Sequence, residues 1–185
     1  MSKSLASNFS VKTAQSLLIG LLGFNVSVHA KAPATPLASF EENEAKVVIT
    51  VEYDQKHQAT LVAQFTPLQK GYHLYSKDLP RKGIEGIGRP TLIELAANSP
   101  IKARGVLTDS APTLKEVIPE AKDPLLIYPN GPVTLRLPIT LPAAASGKLT
   151  DNVLVSYMTC SPQGQCTAPV TAKAVPITLT HLAAH

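Results

Sequence analysis

Val133-Thr134-Leu135-Arg136-Leu137-Pro138-Ile139-Thr140 sets an aliphatic side chain at every second position. That period of two puts one face of a strand into a core and the other toward solvent. Pro138 has no backbone donor, which predicts an edge strand or a bulge at this point. Working outward, Val153, Val155 and Tyr157 alternate with Leu154, Ser156 and Met158, and residues 171–180 supply a last strand. Upstream, Val47, Ile49 and Val51, then Leu61, Ala63 and Phe65 after the polar stretch 54–58, predict a β-hairpin. Further strands are expected over 71–76, 91–97 and 101–107, although residues 92–97 would also suit a helical turn. Glycines and prolines make 77–90 a loop. Residues 108–124 are polar and proline-punctuated, with a brief helix conceivable at 114–117; so long a connection is often functional. Short strands, frequent turns and no convincing long helix predict an all-β chain, an antiparallel β-sandwich.

The chain has 185 residues, room for one ordinary domain, and its 44% apolar and 16% charged residues suffice to bury a core. The first thirty residues differ from the rest. Lys3 and Lys12 are their only charged residues, residues 16–28 are largely apolar, and Val28-His29-Ala30 ends the stretch. This predicts a secretory signal cleaved after about Ala30, with an uncleaved anchor as the alternative. The apolar run falls short of the ~20 residues of a membrane span. Residues 31–40, with two prolines, read as an extended leader, 41–180 as the domain and 181–185 as a tail. Loss of residues 1–30 takes the basic count from 17 to 15 against 13 acidic residues, so the net charge falls from +4 to +2. The remaining basic residues are scattered, which argues against a nucleic-acid partner.

Export makes a disulfide possible, and both cysteines lie beyond the signal, in Cys160-Ser161-Pro162-Gln163-Gly164-Gln165-Cys166. Five turn-rich residues between two strand patterns put the pair at the mouth of a hairpin, within the ~4.4–6.8 Å Cα separation of most disulfides. As a staple the bond is inefficient: closing a loop of about 7 residues contributes roughly 2.4 kcal/mol, against about 4.7 for a loop of 100. Adjacent sulfurs on an exposed loop suit attack by another thiolate. Spacing alone leaves both an exchanging and a structural disulfide open. Two cysteines are half a closed zinc site, and His57, His73, His181 and His185 have no ligand-like spacing to them; no metal or other cofactor is expected. Met158, a conceivable soft copper ligand, reads more simply as core filling. Asp109 and Glu116 lie in the 108–124 segment, where a carboxylate could hold a thiol's proton or simply be solvated. The serines show no nucleophile elbow, which sets a hydrolase aside.

Val155-Ser156-Tyr157-Met158-Thr159-Cys160, five residues, then Cys166-Thr167-Ala168-Pro169 and Val175-Pro176 resemble the active-site hairpin of the DsbD N-terminal domain family. Gly71-Tyr72-His73-Leu74-Tyr75 is similar to that family's Gly-Tyr-Tyr-Leu-Tyr strand, in the right order and at a suitable distance. The resemblance implies an immunoglobulin-like antiparallel β-sandwich, periplasmic and monomeric. It also implies a protein-disulfide reductase activity that takes electrons from a membrane-embedded thiol reductase on a separate chain and gives them to periplasmic thioredoxin-like proteins. Cys166 would then form the mixed disulfide and Cys160 resolve it, with Tyr72, Tyr75 and Tyr157, which match family aromatics, lining the site; Gln165 beside Cys166 and Asp109 in the 108–124 segment are further candidate lining residues. Gln165 and Thr167 stand where the family usually has aromatics, and 108–124, the counterpart of its cap loop, contains none. The competing expectation is a binding or chaperone-like module of the same fold with a permanent disulfide.

Overall fold

A computed structural model describes residues 35–142 and 147–182. The expected signal peptide, residues 31–34 of the leader and residues 183–185 of the tail lie outside the described residues. The strands are β1 (Ala38–Glu42), β2 (Ala45–Tyr53), β3 (Ala59–Pro67), β4 (His73–Leu74), β5 (Leu92–Leu95), β6 (Lys102–Ala103), β7 (Thr108–Asp109), β8 (Leu114–Glu116), β9 (Leu125–Ile127), β10 (Val133–Thr140), β11 (Gly147–Tyr157), β12 (Thr159–Cys160) and β13 (Val170–Leu182). β1 opens at Ala38, ahead of the start expected near Glu41.

One sheet runs β1-β2-β3-β10-β6, with β7 also on β10, and the other runs β13-β11-β5. Every pairing is antiparallel. The inward positions of both sheets meet in one core: Val47, Ile49, Leu61, Phe65, Leu135 and Leu137 from the first, with Ile93, Val153, Val155, Val175 and Ile177 from the second. This is the antiparallel sandwich that the alternation predicts, of the immunoglobulin type that the family resemblance implies. The β2–β3 hairpin turns where expected because the Asp54 carboxylate accepts the backbone N–H groups of Lys56 and Gln58, both at 2.8 Å. Such a side-chain cap replaces the missing ladder partners of the turn.

Three expectations are corrected. β10 is an interior strand, not an edge, but the pairing on its far side is interrupted between β6 and β7. Arg104 N–H donates to Pro138 O at 2.8 Å. A residue of an antiparallel strand points its N–H and C=O to the same side, so the donor that Pro138 lacks falls in that interruption. For the same reason the strand expected over 101–107 survives only as Lys102–Ala103. Residues 114–116 form β8 instead of a helical turn, pairing Leu114 with Ile127 and Glu116 with Leu125. A few residues between Pro112 and Pro119 are too short to pay for helix nucleation, and β9 offers them a ladder.

Candidate functional site

The two cysteines are directly opposed in the hairpin and joined as a disulfide, with Cα atoms 4.0 Å apart, slightly shorter than the range expected from the sequence. Flanking backbone bonds, Ser161 N to Gln165 O and Thr167 N to Thr159 O, both 2.9 Å, mark Cys160 and Cys166 as a non-hydrogen-bonded pair. In such pairs the side chains approach most closely. Ser161 Oγ gathers the turn by accepting the N–H groups of Gln163 and Gln165. The two sulfurs differ in environment: Cys160 is 1% exposed, whereas Cys166 is exposed.

β12 pairs with β4, setting Cys160 opposite His73. Two residues on, and so on the same face, Tyr75 aims its hydroxyl at both sulfurs, 3.0 Å from Cys160 Sγ and 3.7 Å from Cys166 Sγ. Disulfide sulfurs carry no hydrogen, so the phenol is the donor. Burial, aided by the charge of Glu116, pushes the Tyr75 hydroxyl up to about 12, which keeps it protonated. Its ring is seated against Gly88, where an added Cβ would lie 2.7 Å from Tyr75 Cε1 and the backbone has φ of +78°. Gly88→Ala should therefore move Tyr75 and cost about 1–3 kcal/mol of stability, measurable by denaturant unfolding. Gly71, with φ of +83°, lets the strand pass close to the hairpin, an added Cβ there meeting Pro162 Cγ at 2.9 Å.

The other edge of this strand carries the β8–β9 hairpin: Ser76 N donates to Leu126 O and Tyr128 N to Leu74 O, both at 2.8 Å. Cys160, Tyr75, Leu79 and Leu125 form a small apolar cluster of their own, on which Ile118, Ile127 and Met158 pack. The covering segment expected at 108–124 thus has different bounds. Residues 108–109 belong to the main sheet, and the part that packs over the site runs on to Ile127. Its shielding is aliphatic, and Met158 serves as filling.

His73 is buried, its ring edge-on to Tyr75 with centroids 5.6 Å apart and its Nε2 3.9 Å from Glu116 Oε2. Burial holds this imidazole below its usual pKa, and Glu116 opposes the shift. The folded pKa thus lies below the unfolded value of about 6.5. The stabilisation is complete above the unfolded value and is lost as pH falls through it toward the folded one, because only the unfolded chain binds the proton there. Urea midpoints of the disulfide form should fall below about pH 6.5, and less steeply in His73→Phe.

The remaining expected site residues are dispersed. Asp109 accepts the Tyr128 hydroxyl at 2.8 Å and lies 4.0 Å from Lys77 Nζ, a structural role instead of the expected place beside the sulfurs. Tyr157 belongs to the main core, edge-on to Phe65, and donates its hydroxyl to Glu42 O at 2.7 Å. Tyr72 is half-buried, and Gln165 is exposed in the turn beside Cys166. His73 and Tyr128 were not singled out by sequence reasoning. The register opposite Cys160 marks the first, and the fully buried ring, whose hydroxyl accepts Lys77 N–H at 3.0 Å, marks the second.

The family described as "Thiol:disulfide interchange protein DsbD, N-terminal" matches residues 38–177. No curated protein matches the chain. Among solved structures, the crystal structure of the N-terminal periplasmic domain of ScsB from Proteus mirabilis is similar at 11% identity and a TM-score of 0.42, over 80% of this chain and 52% of that one. The chain thus spans about half the length of that structure. With 140 of its 185 residues matched, it belongs to the DsbD N-terminal domain family.

Proposed function

We propose that this is an exported, periplasmic thiol-disulfide exchange module that passes reducing equivalents from a membrane-embedded thiol reductase to thioredoxin-like proteins. The observation that carries this reading is the asymmetry of the disulfide, one cysteine exposed and the other buried under a hydroxyl donor. A reductase thiolate attacks the accessible Cys166 Sγ. The Cys160–Cys166 bond breaks, and its electron pair leaves on Cys160 Sγ, where the Tyr75 O–H stabilises the developing thiolate. The reductase's second thiolate then attacks its own sulfur in the mixed disulfide, which frees Cys166. Toward a client the sequence runs in reverse: Cys166 forms the mixed disulfide and Cys160 resolves it. Tyr75 therefore acts on the leaving sulfur, and the aliphatic cover of the β8–β9 hairpin limits access to Cys160.

A permanent staple is the weaker reading because a hairpin already closed by its own turn gains little from a bond across its mouth. A redox titration against glutathione or dithiothreitol separates the two. The exchange reading expects a midpoint above about −300 mV, and a midpoint well below it would return the disulfide to a structural role.

A further inference from the structure

His73 is 6% exposed, and its Nε2 has no hydrogen-bond partner among the described residues. Buried polar atoms are ordinarily paired, so an orphan next to a reactive bond suggests a use in the other redox state. Its neighbours indicate which use. His73 and Cys160 are directly opposed across β4 and β12, which puts their Cβ atoms about 4.5–5.5 Å apart on one face. Glu116 Oε2 lies 3.9 Å from Nε2. The ring meets Tyr75, whose hydroxyl touches both sulfurs. The titratable groups around the imidazole are therefore Glu116 on β8, Cys160 on β12 and Tyr75 on its own strand, with Cys166 behind the Tyr75 hydroxyl.

We propose that His73 is the charge-balancing partner of Cys160, neutral while the disulfide is closed and an imidazolium between Glu116 and the sulfur once reduction leaves a thiolate there. The inference rests on the exchange reading above. In the closed form burial outweighs the attraction of Glu116 and the ring stays neutral. Reduction by a dithiol breaks the Cys160–Cys166 bond, forms the reductant's own disulfide and brings in two electrons, one pair's worth of charge on two sulfurs. Cys166 is exposed and takes its proton from water. Cys160 is buried, and an isolated thiolate would be costly there. A proton arriving past the part-exposed Glu116 settles on His73 and leaves Cys160 ready as the resolving nucleophile. His73 is thus a positioning residue: it holds charge for the sulfur and makes no bond to it.

The test is an NMR titration of the His73 imidazole in the full chain, once with the disulfide closed and once after chemical reduction. A thiolate within ~4–6 Å should make His73 bind its proton at least about tenfold more tightly in the reduced protein. Glu116→Gln should weaken binding in both states. A second measurement follows the ultraviolet absorbance of the thiolate in Cys166→Ala, where Cys160 is the only thiol. The thiolate should persist to lower pH with His73 present than with His73→Phe, a ring of similar shape that does not titrate. Equal proton affinity of His73 in the two redox states, or identical thiolate titrations with and without it, would overturn the proposal. A disulfide that excess reductant cannot open would end both readings. Opening with the expected His73 response, but without exchange with any thioredoxin-like dithiol, would remove only the proposed function.

Discussion

Tyr75→Phe should slow reduction of the disulfide by dithiothreitol about ten- to a hundredfold while leaving the fold intact. The hydroxyl is the one donor within 3.0 Å of Cys160 Sγ among the described residues, and Cys160 receives the negative charge when Cys166 is attacked. A hydrogen bond to a charged group contributes about 1.5–3 kcal/mol, and each ~1.4 kcal/mol off a barrier is about tenfold in rate. The bond is stronger to the thiolate than to the neutral disulfide, so most of this appears in the rate. Tyr157→Phe is the control. The residue is as buried as Tyr75, but its hydroxyl is bonded to Glu42 O at 2.7 Å, so its loss should cost about 1 kcal/mol of stability with the exchange rate unchanged. Stopped-flow fluorescence or thiol counting measures both. If the Tyr75→Phe rate equals that of the parent, the phenol has no part in stabilising the leaving sulfur.

How far the sequence disclosed the molecule depends on how local each signal is. The β10 alternation defines its strand to the residue, since every second side chain from Val133 to Ile139 is buried. The β2–β3 hairpin is legible for the same reason, with Asp54 marking the turn. Residues 101–107 and 114–117 were harder because two- or three-residue strands have no period to detect. Their conformation is decided by distant partners: the gap left by Pro138 in one case and the free edge of β9 in the other.

The same contrast holds at the site. The cysteine bond follows from a five-residue turn between two strand patterns, a local signal, and it is present. The position of Tyr75 depends on the pairing of residues 73 and 160, 87 apart in sequence, and only the resemblance to a family strand pointed to it. His73 carries no local mark at all. A lone histidine in a strand is uninformative until the register puts it opposite Cys160 and the β8–β9 hairpin brings Glu116 to its Nε2. Asp109 failed as a site residue for the complementary reason. Loop carboxylates are usually solvated, but this one is claimed by Tyr128, a buried ring that residue spacing gave no cause to connect with it.

Replacing Cys160 with alanine should convert the protein into a trap, and replacing Cys166 should not. In Cys160→Ala the remaining thiol is the exposed one, so it can attack a client disulfide, and the mixed disulfide then persists because its resolving neighbour is gone. Covalent complexes with thioredoxin-like dithiol proteins should accumulate on non-reducing gels, most strongly when the client's own second cysteine is also removed. In Cys166→Ala the surviving sulfur, 1% exposed in the parent, lies beneath Tyr75 and the cluster that includes Leu79 and Leu125. An in-line approach of a second sulfur is obstructed there, and trapping should drop by at least about tenfold, the rate equivalent of ~1.4 kcal/mol. The polar neighbours Gln165 and Thr167 leave Cys166 without aromatic cover, which favours fast formation of the complex and makes the asymmetry depend on burial of Cys160 alone. Leu79→Ala in the Cys166→Ala background should therefore recover part of the trapping by opening that cluster. Equal trapping by the two single-cysteine proteins would reverse the assigned order of the sulfurs while keeping exchange, and trapping by neither would leave only the structural disulfide.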